Sequence, residues 1–403
     1  MAEGGPAQLH SVPGVRLAAV PAGIKSSGDA DLVLVEMAQG TRCAAVFTRN
    51  AFCAAPVTVA RQNLQSCGNQ PRYLLINSGN ANAGTGDEGL SAARACVDAV
   101  ALAGGVDAAR VLPFSTGVIG EPLPVHLIEA ALPSAVSALS EDGWGNAARG
   151  ILTTDTCPKT HSVKFSCTGR DYVVTGMAKG AGMIRPDMAT MLAFIATDAS
   201  LDPETLQDCL SQATDKSFNR ITVDGDTSTN DACVLVATGS GTALEPGSPG
   251  YTLFSEALND ICVLLAQAIV RDGEGATRFV TIAVENGLDS DECLQVAYSI
   301  AHSPLVKTAL FAGDPNWGRI LAAVGRSGVA ELDLDQLEIF LDDVCIVRAG
   351  GRALDYTEAA GQQVMDQEEI TIRVDLHRGA CREVIWTCDL SYDYVKINAE
   401  YRT

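Results

Sequence analysis

The sequence predicts a mixed α/β fold. Short apolar runs alternate with helical patterns along the whole chain, and 47% of its 403 residues are hydrophobic against 19% charged. That is the balance of a chain that buries a substantial core rather than of a disordered one. After about residue 286 the pattern resets to a helix followed by alternating strands. A soft boundary is therefore expected between a structural core of about 1–285 and a C-terminal domain of about 286–403.

The elements follow in order. Strands are expected at Leu32–Met37, Tyr73–Ile76, Tyr172–Thr175, Met191–Thr197, Ala232–Ala237 and Phe279–Val284, each a short run dense in apolar residues. Helical periodicity marks Ser91–Ala103, Val125–Leu139, Glu204–Phe218 and Phe254–Arg271, with Gly104-Gly105 as the stop after the first. Beyond the reset come a helix at Asp291–His302 and strands at Leu337–Leu341, Glu369–Asp375 and Glu383–Cys388.

Composition narrows the function. A net charge of −21, from 28 basic and 49 acidic residues, argues against nucleic-acid and anionic-membrane partners, which need basic surface. No uncharged stretch reaches the ~18 residues of a membrane span. The N-terminus lacks a charged start followed by an apolar core, so no secretory signal is expected. The thirteen cysteines form no CxxC pair and no zinc-type spacing with histidine. They read as small apolar thiols of a soluble, cytoplasmic protein.

Two segments imitate cofactor sites. Gly84-Thr-Gly-Asp-Glu-Gly89 has the form GxGxxG, but Asn77–Ala83 separates it from the preceding strand, where a dinucleotide loop needs its first glycine tight against the strand end. It reads as a turn-rich loop. Asp224-Gly-Asp-Thr-Ser-Thr-Asn-Asp231 resembles a calcium loop, yet Leu235 stands at position 12 and Thr229 at position 6, where glutamate and glycine are required. No metal and no resident cofactor is predicted. The five histidines are scattered and give no local support to a histidine-based triad.

The run Lys179-Gly-Ala-Gly-Met-Ile-Arg-Pro-Asp-Met-Ala-Thr-Met-Leu192 carries the chemistry. Its Ala189–Thr190 junction lies between a glycine-rich, proline-broken loop and an apolar strand. Such a junction suits a threonine that attacks its own preceding carbonyl and becomes a new N-terminus. The freed α-amine, with a pKa near ~8, would then serve as base for the hydroxyl of the same residue. Three other features fit a threonine nucleophile. Thr116-Gly117 offers a hydroxyl and a backbone N–H for a developing oxyanion, although a Thr-Gly pair is more often just a turn. Lys179 has glycines at 180 and 182 and suits a bound carboxylate, although a loop lysine is by default solvated. Glu274, between Gly273 and Gly275, is placed to face inward or simply to end a helix.

Taken together these segments resemble the ornithine acetyltransferase family, the glutamate N-acetyltransferases of arginine biosynthesis. The resemblance runs through Asn77–Ala83, Ser115–Gly120, Thr153–Lys159, Lys179–Leu192, Asp224–Asp231, Asp272–Ala276, Ser303–Thr308, Asp314–Arg319 and Asn398–Thr403, in order and over essentially the whole chain. It implies a layered core like that of the N-terminal-nucleophile enzymes, with a smaller C-terminal α+β domain. It implies self-cleavage between Ala189 and Thr190 into an α chain of 1–189 and a β chain of 190–403, which associate as a heterotetramer of two α and two β chains. Acetyl would move from N-acetylornithine to glutamate through an acetyl ester on Thr190, with Thr116 and Gly117 as the oxyanion hole. Thr153, Lys179, Thr190, Glu274, Asn398 and Thr403 match the family's substrate-binding positions. Some members also take acetyl-CoA as co-substrate, and no residue here decides that point. Two other readings stay open on the sequence: a self-cleaving amidohydrolase or aminopeptidase that admits water, and an uncleaved scaffold.

Overall fold

The computed structural model describes residues 9–185 and 191–400. They form two compact units, one made of Arg220–Gly225 together with the chain from Val270 onward, the other of the chain up to Asn219 together with Asp226–Ile269.

The larger unit is built in four layers. Its strands are β1 (Val15–Val20), β2 (Leu32–Met37), β3 (Arg42–Phe47), β4 (Tyr73–Asn80), β5 (Val111–Val118), β6 (Lys159–Cys167), β7 (Arg170–Lys179), β8 (Leu192–Thr197) and β9 (Ala232–Ala237). Its helices are α1 (Ala55–Ser66), α2 (Gly86–Gly104), α3 (Val125–Ser137), α4 (Trp144–Gly150), α5 (Pro203–Asp215) and α6 (Pro249–Arg271), whose last two residues lead into the smaller unit. One sheet has the order β1-β2-β4-β5 and the other β3-β9-β8-β7-β6. The period-two geometry of a strand explains how they stack. Val33, Val35, Leu74, Ile76, Leu112 and Phe114 face the second sheet and meet Met177, Leu192, Phe194 and Val234 in one dry core. Phe114 and Phe194 join edge to face with centroids 5.1 Å apart. The intervening residues Leu32, Leu34, Tyr73, Leu75 and Val111 face outward onto Val97 and Val100 of α2 and Ile128 and Leu132 of α3.

Helix α6 covers the outer side of the second sheet. A Cβ on Gly176 of β7 would lie 3.0 Å from Leu265 Cδ1 and 3.2 Å from Ile261 Cγ2. Among the described residues α6 is the one helix long and apolar enough to cross a membrane, and Phe254, Leu258, Ile261, Leu265 and Ile269 are buried along it, as a core helix requires. The result is a helix–sheet–sheet–helix stack, in keeping with the layered core that the family resemblance implies. Helix ends follow local chemistry: Asp202 caps α5 by accepting the Glu204 and Thr205 amides at 3.0 Å, ahead of Pro203. Gly105, in the left-handed region at φ 62°, closes α2.

The smaller unit holds β10 (Phe279–Gly287), α7 (Ser290–Ala301), α8 (Pro304–Ala312), α9 (Trp317–Gly325), β11 (Glu338–Leu341), β12 (Val344–Arg348), β13 (Gly351–Arg352), α10 (Glu358–Met365), β14 (Glu369–Asp375), β15 (Cys381–Cys388) and α11 (Tyr392–Glu400). Its sheet order is β13-β12-β11-β14-β10-β15, with β10 parallel to β14 and antiparallel to β15. Val280, Ile282 and Val284 pack with Val296 and Ile300 of α7 in its core. The segment Arg220–Gly225 joins this unit through Ile221, bridged to Trp386, and the Thr222 amide, which donates to the Trp386 carbonyl at 3.0 Å.

Candidate active site

In the larger unit the site starts where β4 and β5 run parallel. Their register sets Ser78 beside Thr116 and Gly79 beside Gly117, with an irregularity at Asn80. Gly117 sits at φ +136°, and a Cβ there would fall 2.3 Å from the Gly79 carbonyl carbon and 2.5 Å from the Asn80 nitrogen. Only glycine fits. The asparagines of 77–82 hold this wall from behind: Asn77 Nδ2 donates to the Asn80 carbonyl at 2.8 Å, and Ser115 Oγ donates to Asn77 Oδ1 at 2.6 Å. Asn230 Nδ2 bridges the carbonyls of Ala81 (2.7 Å) and Ser115 (3.0 Å). The segment that imitates a calcium loop thus acts as a clamp on the β4–β5 end.

Lys179 closes β7 and is 4% exposed. Its Nζ donates to Thr153 Oγ1 at 2.8 Å and to Thr116 Oγ1 at 3.3 Å, and lies 3.8 Å from Asp155 Oδ2. Three residues singled out from the sequence therefore meet at one ammonium. Asp155 binds this cluster together: it accepts Lys159 Nζ at 2.7 Å, the Gly180 amide at 2.7 Å and the Thr153 amide at 3.1 Å. Burial alone would raise the Asp155 pKa, but the charges of Lys179 and Lys159 and the Gly180 N–H outweigh it and hold the carboxyl well below the usual range. A hydroxyl that accepts from an ammonium keeps its own O–H free to donate, and is polarised to do so. Thr116 is in that position.

Thr190 and Ala189 lie outside the described residues, as does Thr403. The described chain resumes at Met191, and Leu192 pairs with Lys179 across β7 and β8. The Met191 amide donates to Asp231 Oδ1 at 3.0 Å. Asp231 is 1% exposed, and its other oxygen accepts nothing among the described residues. Burial pushes its pKa well above the usual carboxylate range, against the pull of the Met191 N–H and the Lys179 charge. A buried carboxyl whose ionisation is disfavoured thus anchors Met191, the residue that leads into β8.

Glu274 and Asn398 belong to the smaller unit. Glu274 is 8% exposed, and Asn398 Nδ2 donates to its Oε2 at 2.8 Å and to the Tyr394 carbonyl at 3.0 Å. Gly275 allows this approach: at φ +69°, a Cβ on it would sit 2.5 Å from Ser391 Oγ and 2.6 Å from the Tyr394 nitrogen. Asp389 holds the far side of the turn, accepting the Thr277 and Arg278 amides at 2.8 and 2.9 Å.

Asp155, Lys159, Asn230 and Asp231 also build the site, although none of them stands out as a candidate from sequence alone. Their signal lies in 153–159, where threonines flank one aspartate, and in 224–231, where acidic, hydroxyl and amide side chains cluster without a complete metal-ligand spacing.

With this geometry in place, likeness to known proteins becomes informative. The ArgJ family model matches residues 16–403. The arginine biosynthesis bifunctional protein ArgJ of Pseudomonas fluorescens is 57% identical over 398 residues, 98% of each chain. A solved chain of the ArgJ protein of Bacillus halodurans is 40% identical and covers 51% of this chain and 97% of its own, with a TM-score of 0.49. A solved chain of ornithine acetyltransferase from Mycobacterium tuberculosis, complexed with ornithine, is 36% identical over 43% of this chain and 92% of its own, with a TM-score of 0.38.

Proposed function

The chain belongs to the ArgJ family, and from that premise we propose that it is an acetyltransferase of arginine biosynthesis, moving acetyl from N2-acetylornithine to glutamate by way of Thr190. The hydroxyl of Thr190 adds to the acetyl carbonyl and passes its proton to the free α-amine of the same residue. The carbonyl oxygen becomes an oxyanion, facing the Thr116 hydroxyl and the Gly117 N–H. The intermediate collapses with loss of the ornithine α-amine, which takes up the proton, and acetyl stays on Thr190 as an ester. The α-amine of glutamate then attacks that ester by the same steps in reverse order.

The observation that carries this reading is the hydrogen bond from Lys179 to Thr116, one residue from a glycine that admits no side chain. It holds the Thr116 oxygen as acceptor and so aims its proton outward. Loss of one such donor costs roughly 100- to 1000-fold in turnover. In this reading Thr153, Lys179, Glu274, Asn398 and Thr403 contact the substrates. Autoproteolysis between Ala189 and Thr190 frees the nucleophile. The resulting chains associate as two α with two β in the cytoplasm, without a resident cofactor. Acetyl-CoA serves as a second acetyl donor to glutamate, consistent with relatives named as bifunctional.

The test offers the purified protein N-acetylornithine with and without glutamate. Glutamate-dependent formation of ornithine and N-acetylglutamate is expected. Acetate release indifferent to glutamate would instead make it an amidohydrolase. On a denaturing gel two fragments divided at 189/190 are expected, and Thr190→Ala should leave one full-length, inactive band. Acetyl-CoA with glutamate tests the second donor, and the native mass tests the assembly.

A further inference from the structure

Lys179 cannot easily serve a substrate's carboxylate alone, because Thr153, Thr116 and Asp155 already surround its ammonium. A second cation reaches the same wall from the other side of β4. Lys25 lies in the turn between β1 and β2, and its backbone is fixed. Asp31, fully buried, accepts the amides of Ala22 at 2.6 Å, Ile24 at 2.6 Å and Lys25 itself at 2.8 Å. A carboxylate holding three N–H groups sets a turn firmly.

From there the Lys25 stem crosses Gly79. A Cβ on Gly79 would come within 3.1 Å of Lys25 Cγ and of Ile24 Cγ2, so the absence of a side chain there makes the passage. Gly79 is the residue paired with Gly117. Among the described residues the ammonium of half-buried Lys25 makes one long hydrogen bond, to the Ala30 carbonyl at 3.4 Å. Asp31 forms no ion pair with it, being occupied by the three amides. Burial is the main influence on Lys25 and lowers its pKa; Asp31, Asp29 and Asp155 oppose this, and Lys179 adds to it. The ammonium therefore lies within electrostatic range of both Asp155 and Lys179, with donors to spare.

We propose that Lys25 is a specificity-determining residue whose ammonium binds the α-carboxylate of the amino-acid substrates. The proposal rests on the acetyl-transfer reading above. Donor and acceptor in that reaction differ at the side-chain end, cationic in one and anionic in the other. They share the α-carboxylate beside the reacting nitrogen, so one fixed cation close to the oxyanion wall serves both half-reactions.

The experiment compares wild-type, Lys25→Met and Lys25→Arg enzyme, full length and self-processed, on N-acetylornithine and on its α-carboxamide. Lys25→Met is expected to lose about 10- to 100-fold in kcat/KM on the acid, mostly through KM, as for a charged hydrogen bond. On the carboxamide it should fall less than about threefold, and Lys25→Arg should recover most of the loss on the acid. An equal loss on acid and amide, or no loss on either, overturns the proposal. Calorimetric titration with glutamate separates this from failure of the transferase reading. Wild-type enzyme that transfers no acetyl would remove that reading, whereas glutamate binding that is unchanged in Lys25→Met would remove the role of Lys25.

Discussion

Lys159 and Asp155 form an ion pair of 2.7 Å whose side chains are 1% and 0% exposed, four residues apart at the entry to β6. It neutralises the carboxylate that orders Thr153, Gly180 and Lys179. Lys159→Met leaves that carboxylate buried with only Lys179 as counter-charge, and removing one partner of a buried pair typically costs ~3–5 kcal/mol. Urea denaturation should show a loss of that order. A loss below about 1 kcal/mol would mean that Lys179 alone suffices to hold Asp155.

Acid should release the same cluster. Burial disfavours ionised Asp155, but Lys179 and Lys159 prevail, so its folded pKa lies below that of the unfolded chain. The stabilisation is then complete above about pH 4 and is lost as pH falls further toward the folded value. Asp155→Asn should therefore flatten the acid side of the stability curve below about pH 4. A mutant curve parallel to wild type there would refute the linkage.

Asp231 should act with the opposite sign. Its folded pKa is raised by burial, so above about pH 4 the native state keeps a proton that the unfolded chain releases, and stability declines as pH rises. Asp231→Asn retains an acceptor for the Met191 amide and does not titrate. Its melting temperature relative to wild type should climb as pH rises from about 4.5. A constant difference across that range would show that Asp231 is ionised in the fold.

Gly117→Ala should be among the most damaging single-methyl changes in the molecule. The new Cβ would overlap main-chain atoms of Gly79 and Asn80, on a backbone at φ +136°. Soluble yield and melting temperature should both drop. Gly145→Ala, at a position where the nearest atoms are 3.9 Å away, is the control expected to be mild. Comparable behaviour of the two would mean that β4 and β5 separate readily.

Thiol reactivity should be confined. Cys157 is exposed, whereas Cys43, Cys96, Cys209, Cys233, Cys262, Cys293 and Cys388 are buried. Burial pushes Cys96 and Cys233 up to about 12, where almost no thiolate exists at neutral pH. Iodoacetamide applied to the native protein should alkylate Cys157 first, read by peptide mass spectrometry. Early labelling of Cys96 or Cys233 would indicate local opening of the layers that enclose them.

The buried strands were plain in the sequence because both of their faces are covered. Ala232–Ala237 is an unbroken apolar run and Leu32–Met37 is broken only by Glu36, and the structure keeps those bounds. β6 was illegible for the opposite reason: Lys159–Cys167 is a half-exposed edge strand rich in Lys, His and Ser, and its pairing with β7 defines it. The helix expected over Glu204–Phe218 ends at Asp215, and the chain turns into a short 3-10 segment at Phe218–Arg220. Around the site, Thr116, Lys179 and Glu274 could be named from local pattern, since glycine neighbours set them apart, whereas Thr153 came only with the family resemblance. Lys25 could not. It follows an unremarkable Pro-Ala-Gly-Ile, and its meaning comes from Asp31 six residues later and from Gly79, more than fifty residues on.

The contact between Gly117 and Gly79 also bears on how this enzyme can be altered. At these two positions the wall has no side chain: a methyl on Gly117 would overlap the Gly79 and Asn80 main chain, and one on Gly79 would press on the Ile24 and Lys25 side chains. Substitution there offers no graded series from small to large, only intact or broken. A search for variants that accept an acyl group longer than acetyl would find β4 and β5 barren, and is better directed at side chains that approach from elsewhere, beginning with the turn that carries Lys25.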